Sequence, residues 1–378
     1  MYFAISLGFK IHYRQNQLFT VLTYMEGIIL DCNLMRYPHS GLYQYCLNLG
    51  ERVNTALKLK NSPPLRMYLP SPRILPYDHR YHIIERTWHK YLNPFLSNCR
   101  IWHAPFQSGR ILPDTRTHKH IKVVLTIHDL NSLHEGKPKK EQQESLFHTQ
   151  RLIDRSDAIV CISEFTKTDV KRHCEVGNKP VHVIHNGIHK LVSPALSKSS
   201  YRPLRPFIFG MGYINRKKNY HVLLGLIERN PGMELVIAGI LDDPDYVDHI
   251  KAKAEKLRIS EYIHLLGPVT ESEKAWYLKQ CMAFMQPSLA EGFGAPVVEA
   301  MQFGKPIFLS NLTSLPEIGG ETAFYFSNFD ADHMHGVFSE GMLCYNKYNM
   351  TESIISRGKN FEWGKSALKY LEVYESLL

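Results

Sequence analysis

Ala290-Glu291-Gly292-Phe293-Gly294-Ala295-Pro296-Val297-Val298-Glu299-Ala300 sets two carboxylates eight residues apart around a glycine-rich turn. An apolar run at 283–286 precedes it and a helix-compatible run at 296–303 follows, so the stretch reads as strand, turn and helix. Gly292 and Gly294 let the backbone approach a ligand closely. Pro296 suits the first helical position, where no N–H is needed. The N–H groups around Gly294, Ala295 and Val297 then form an anion site favoured by the helix dipole. Glu299, one turn into the helix, is placed to accept two ribose hydroxyls, and Glu291, before the turn, faces a sugar. A Gly-x-Gly alone marks only a structural turn; the flanking carboxylates favour a ligand site.

The same strand–helix alternation extends in both directions. Upstream, β-rich apolar runs occur at 27–31, 65–69, 100–103, 122–127, 158–162 and 181–184, with helical patterns at 139–155 and 164–174. Ser163 precedes an acidic first turn as a helix cap. Loop composition at 185–206 separates a second series: strands at 206–211, 234–238, 263–266, 283–286 and 306–310, and helices at 220–229, 245–256, 271–280 and 296–303. Residues 363–378 close the chain as a helix. The pattern predicts an α/β fold of two Rossmann-like, doubly wound parallel sheets that bind ligands at the strands' carboxyl ends, in a crevice. The domains expected are 25–190 and 206–360, with a linker at 191–205 and a C-terminal helix at 361–378 that crosses back. Residues 1–24 lack a clear period and read as an extension, without the basic start or cleavage site of a secretory signal.

Two further stretches carry charge or a titratable group at strand ends. Gly212-Tyr213-Ile214-Asn215-Arg216-Lys217-Lys218-Asn219 puts three consecutive cations after a glycine turn, suited to a pyrophosphate. His128-Asp129 follows the 122–127 run, where a side chain projects into a crevice. A lone histidine there serves equally as a hydrogen-bonded structural residue, and the basic run as a solvated loop.

Composition restricts the function classes. At 44% hydrophobic and 21% charged, the 378-residue chain can bury a sizeable core. Residues 1–190 hold 26 Lys and Arg against 15 Asp and Glu, whereas the remainder is near neutral, which suggests an anionic partner for the first half. No reader motif or aromatic-interleaved basic patch supports nucleic acid as that partner. Seven scattered cysteines without a C-x-x-C pair suit a reduced, cytoplasmic chain. The many histidines lack a carboxylate or cysteine framework for metal, and no apolar run is long enough to span a membrane. Asp242-Asp243-Pro244-Asp245 contains an acidic D-x-D, but it opens a helix and reads as N-terminal charge. Gly210-Met211-Gly212 lacks the third glycine of a dinucleotide fingerprint.

The 290–300 stretch resembles the E-x7-E motif of glycosyltransferase family 4, retaining enzymes of the GT-B fold. Further blocks resemble that family: the glycine and aromatics at 41–45, Thr126-Ile127-His128-Asp129-Leu130, the 161–167 block, the Asn-Gly linker at 183–188, and Phe361-Glu362-Trp363. The resemblance covers most of the chain from about Gly27 onward. It implies that His128, Glu291 and Lys218 act in catalysis, His128 by contacting the transferred sugar. It implies donor binding by Arg216 or Lys217 and by Gly292, Phe293, Gly294, Ala295, Val297, Glu299 and Gly41. Many members carry an arginine where this chain has Tyr213, which leaves open whether Arg216 or Lys217 supplies the second phosphate contact.

The function expected is retaining, metal-independent transfer of a hexose, mannose included, from a GDP- or UDP-sugar. The acceptor expected is a hydroxyl of a lipid-linked glycan or glycolipid in surface polysaccharide or lipopolysaccharide assembly. No cofactor is expected beyond the nucleotide sugar, and the basic half suggests peripheral contact with the anionic inner face of the cytoplasmic membrane. A non-hydrolysing UDP-sugar epimerase and a non-catalytic nucleotide-sugar-binding protein would share the architecture. An epimerase turns over donor without acceptor; a binding protein tolerates loss of His128 and Glu291.

Overall fold

The computed structural model describes residues 27–37, 40–71, 82–91, 96, 98–108, 111–113, 117–192 and 201–378. The extension read at 1–24 and residues 193–200 of the linker lie outside them.

Two parallel sheets form the framework. The first has strands β1 (Ile28–Asp31), β2 (Arg66–Leu69), β3 (Ile83–Ile84), β4 (Ile101–Ala104), β5 (Lys122–Ile127), β6 (Ala158–Cys161) and β7 (Val181–Val183), in the order β3-β2-β1-β4-β5-β6-β7. The second has β8 (Phe207–Met211), β9 (Glu234–Ala238), β10 (Ile263–Leu265), β11 (Ala283–Gln286), β12 (Ile307–Ser310) and β13 (Phe324–Phe326), in the order β10-β9-β8-β11-β12-β13. Central strands are buried on both faces, as continuous apolar runs demand. In β1, Ile28 and Leu30 pack on one side with Leu49, Met67 and Tyr370. Ile29 packs on the other with Trp102, Val123 and Ile153. The strand order reverses between β1 and β4 and between β8 and β11, which opens a crevice at the carboxyl end of each pair.

Several elements exceed the sequence reading. The glycine and aromatics at 41–45 open a helix, Gly41–Leu59, capped by Ser40 Oγ accepting the Tyr43 N–H at 3.1 Å. Tyr45, Leu49, Val53 and Leu57, one helical turn apart, line its buried face. The edge strands β3 and β13, and the helices Ala331–Tyr348 and Thr351–Gly358, were not read from the sequence. Both strands are very short, two and three residues, so they lack the longer apolar run that marks a central strand.

The C-terminal helix Trp363–Leu377 lies against Gly41–Leu59, where the Tyr370 and Tyr45 hydroxyls are 2.5 Å apart. Gly187, in the segment after β7, sits where an added Cβ would fall 2.1 Å from the Trp363 backbone nitrogen. Only glycine permits that approach, which brings the chain leaving the first sheet against the start of the returning helix. Among the described residues no helix is long and apolar enough to cross a membrane.

Candidate active site

The crevice at the end of β8 and β11 opens toward the end of β5, as a cavity of about 350 Å³. From the second sheet come Tyr213, Lys217, Lys218, Glu291, Gly292 and Phe293; from the first come His128, Asp129 and Asn131. Glu291 and Lys218 are its charged centre. Lys218 Nζ is 2.5 Å from Glu291 Oε1, which also accepts from Gln286 Nε2 at 2.6 Å and Ser288 Oγ at 2.8 Å. Burial pushes the Glu291 carboxyl up, but Lys218 and the Ser288 bond outweigh it and hold it below its ordinary value. The Glu291 backbone is clamped as well: its N–H donates to Thr313 Oγ1 and its carbonyl accepts from Ser314 Oγ.

The two remaining cations of the run diverge. Lys217 Nζ reaches Glu135 Oε1 of the first domain at 3.1 Å and lines the cavity. Arg216 turns outward to Asp243, 3.5 Å away, and over the Tyr246 ring. The geometry therefore puts Lys217, and not Arg216, beside Lys218. Asp243 itself caps the helix Pro244–Lys256 by accepting the Tyr246 N–H at 3.0 Å.

His128 is seated by its own backbone and ring. Gln107 accepts from the His128 N–H and donates to the Asp129 carbonyl, so one side chain holds both residues of the pair. His128 Nε2 is 2.8 Å from the Pro105 carbonyl, so Nε2 carries the proton and Nδ1 keeps its lone pair. Tyr45 stacks edge-on at 4.7 Å. Burial lowers His128 to about 4 although the Pro105 bond opposes it, so the imidazole is neutral near pH 7.

His103 lies beneath, between Tyr374 OH at 2.7 Å and Thr126 Oγ1 at 2.8 Å; burial lowers it to about 3. Both histidines fold neutral, whereas the unfolded chain protonates them below about 6.5. Their stabilisation is therefore complete above that pH. It declines as pH falls toward 4, by about 1.4 kcal/mol per unit for each group. Urea midpoints taken from pH 7 to pH 4.5 should fall, and His103→Gln should flatten the decline; a flat wild-type profile would contradict this assignment.

The two domains meet at Gly292. Its Cβ position lies 2.3 Å from the His128 carbonyl oxygen, and its own carbonyl accepts from Ser163 Oγ at 2.9 Å. Glu317 joins the domains beside the crevice: its carboxylate accepts the Glu164 and Phe165 N–H groups that open the helix Glu164–His173, and meets His185 Nε2 at 2.6 Å.

The glycine turn works differently from the sequence expectation. Gly294 takes φ +92°, open to glycine at little cost, and starts the seven-residue helix Ala295–Met301. The Val297 N–H is already bonded to the Gly294 carbonyl at 2.9 Å, because the turn closes on itself, so it is not a free anion donor. Glu299 is not brought into the Glu291 cluster; it pairs with Lys274 at 2.7 Å. Gly41 begins its helix exposed, with nothing within 4 Å of an added Cβ. Gly294, Ala295, Val297, Glu299 and Gly41 do not line the cavity described above. Among the described residues no three His, Cys, Asp or Glu side chains converge as a metal-ligating set.

Sequence reasoning missed Gln107, Gln286, Ser288, Glu317 and Lys274; Ser163, expected as a helix cap, does cap Glu164–His173, and its bond to Gly292 was the part not foreseen. Gln107 and Gln286 stand at or just beyond the carboxyl ends of β4 and β11, a position that could have singled them out. Glu317 and Lys274 had no such signal, because their partners are distant in sequence.

Known proteins share this fold. Residues 197–359 match the family described as Glycosyl transferases group 1, and residues 50–190 match Glycosyltransferase Family 4. O-antigen chain mannosyltransferase B of Escherichia coli is 24% identical across 93% of this chain and all of that protein. Sucrose-phosphate synthase from Thermosynechococcus elongatus superposes with a TM-score of 0.75 at 17% identity, covering 93% of this chain and 99% of that one. HepE of Anabaena in complex with UDP-glucose superposes with a TM-score of 0.68 at 15% identity, covering 93% of this chain and 100% of that one. With two facing parallel-sheet domains and family matches over both, the chain belongs to the family-4 glycosyltransferases of the GT-B fold.

Proposed function

We propose that this enzyme is a retaining hexosyltransferase that moves a sugar from a GDP- or UDP-hexose to a hydroxyl of a lipid-linked glycan. The observation that carries the reading is the convergence of Lys217, Lys218 and Glu291 on a crevice faced by the neutral His128. Lys218 spends one of its three N–H bonds on Glu291, which leaves two for phosphate oxygens. As the bond from the sugar's anomeric carbon to the β-phosphate breaks, Lys218 and Lys217 meet the charge gathering on the departing diphosphate. Glu291 holds sugar hydroxyls, and His128 Nδ1 offers a neutral acceptor beside the anomeric centre. The acceptor hydroxyl approaches from the first domain, on the face the diphosphate leaves, bonds the anomeric carbon and passes its proton to the departing diphosphate oxygen, so configuration is kept. Glu299 takes the ribose hydroxyls. The UDP-glucose bound to HepE and the mannosyl transfer in the name of the E. coli relative support this donor class.

The test is turnover of GDP-mannose and UDP-glucose with a polyprenyl-diphosphate glycan, with the anomer of the product read by NMR. Net retention, undiminished by EDTA, is expected; an inverted product would reject the stereochemical part. The basic first half would hold the enzyme on an anionic membrane near that acceptor, at about 1 kcal/mol per basic residue. Binding to phosphatidylglycerol vesicles should then weaken as salt rises, and salt-insensitive binding would count against it.

A further inference from the structure

A second charged cluster lies behind the glycine turn, outside the cavity that holds Glu291. Lys274, on the helix Glu271–Gln280, is buried, with its ammonium 2.7 Å from Glu299 Oε1 and 2.9 Å from Glu271 Oε1. Glu271 in turn meets His189 Nε2 at 3.1 Å, in the segment that joins the domains. The same segment is tied to the Glu299 helix a second time, where Gln302 donates to the His189 carbonyl and accepts the Leu191 N–H.

Folding alone does not ask for a lysine here. Its helix neighbours Ala275 and Leu278 are buried among apolar side chains, so an aliphatic residue would fit. A cation in the first turns of a helix also opposes the helix dipole. Replacing a buried ion pair by well-packed apolar groups is often neutral or stabilising. What only a cation does at this place is act on Glu299. Burial drives that carboxyl above its ordinary value, and Lys274 offsets only part of the rise, so without the ammonium the ionised form would be weaker still. A protonated Glu299 would donate one hydrogen bond, whereas the ionised form accepts two. Among the described residues Lys274 makes the only hydrogen bond to this carboxylate, through Oε1.

We propose that Lys274 is a positioning residue for the nucleoside subsite: tethered through Glu271 to His189, just before the linker, it holds Glu299 as a two-fold acceptor for the ribose hydroxyls. The inference rests on the reading that Glu299 meets the ribose. It makes Lys274 a determinant of ribose recognition without contact to the reacting atoms.

The experiment is calorimetric titration of the full chain with UDP and GDP and with their 2′,3′-dideoxy counterparts. The preferred ribonucleotide should bind the wild type about tenfold or more tightly than its dideoxy form, as bonds to a charged group allow. Lys274→Met should collapse that ratio toward one while leaving dideoxy affinity unchanged, and Lys274→Arg should restore it. If Lys274→Met fails to fold, Lys274→Gln, which keeps a polar end without charge, is read the same way. A ratio kept in the Lys274 variant but lost in Glu299→Gln overturns the positioning role alone. A ratio kept in both overturns the ribose reading beneath it. Equal loss of both ligands in the Lys274 variant also overturns the proposal, because it would show a general role in the pocket.

Discussion

Lys218→Met should lower kcat by about 10²–10³ and weaken diphosphate binding, because on the proposed reading it removes the buried donor that meets the charge developing on the leaving group. The same substitution strands Glu291. Both side chains are about nine-tenths buried, and losing one partner of such a pair costs about 3–5 kcal/mol. Gln286 and Ser288 still donate to Glu291 Oε1 and Lys217 remains nearby, so the lower end of that range is expected. Stability and chemistry are therefore confounded in the single variant. Adding Glu291→Gln separates them, with the Glu291→Gln single variant read beside it for the loss of the sugar contact. The double variant has no orphaned charge and should recover most of the stability, read as a urea midpoint, yet stay as inactive as the single one. Recovery of turnover together with stability would mean that Lys218 serves the fold and not the reaction.

The contrast between Lys218 and Lys274 shows what the sequence could and could not disclose. Lys218 stands in a local pattern, a cationic run after a strand and a glycine turn, and its partner Glu291 lies in a second local pattern. Both patterns end strands that flank the reversal point of one sheet, so the alternation of strands and helices was enough to expect them together. The central strands were legible for the same reason: full burial on both faces imposes continuous apolar runs. Arg216 and Lys217 could not be separated by sequence, since adjacent residues on a tight turn point apart and only the partners Asp243 and Glu135 decide which faces the crevice. Lys274 sits in an ordinary helical pattern, 25 residues from Glu299, and nothing local marks its burial. The strands β3 and β13 were illegible because two or three residues are too few to show a period, and the helices between 331 and 358 because they mix polar and apolar positions.

Gly292→Ala should reduce turnover by about 10²-fold or more while leaving nucleotide affinity within a few-fold of wild type. The methyl group would lie 2.3 Å from the His128 carbonyl oxygen and 3.0 Å from Asp129 Cβ. The first of these is backbone, held by Gln107 bonding His128 N–H and Asp129 carbonyl, and by Thr166 donating to the same His128 oxygen. It cannot swing aside as a flexible side chain would. The relief open to the protein is to separate the two strand ends by roughly 1 Å, a displacement that alone costs about 10²-fold in rate. Ser163 would lose its bond to the Gly292 carbonyl in the same movement, and Lys217 its reach to Glu135. Lys217, Lys218 and Glu291 all belong to the second domain and keep their places, so the diphosphate should still bind. The expected signature is thus a fall in kcat with donor affinity preserved, the reverse of the joint loss argued for Lys218→Met. Gly336→Ala, on the helix Ala331–Tyr348 with nothing within 4 Å of the added methyl, is the matched control and should leave turnover unchanged. If Gly292→Ala turned over at the wild-type rate, the close contact between His128 and Gly292 would not belong to the reacting state, and catalysis would proceed with the domains further apart.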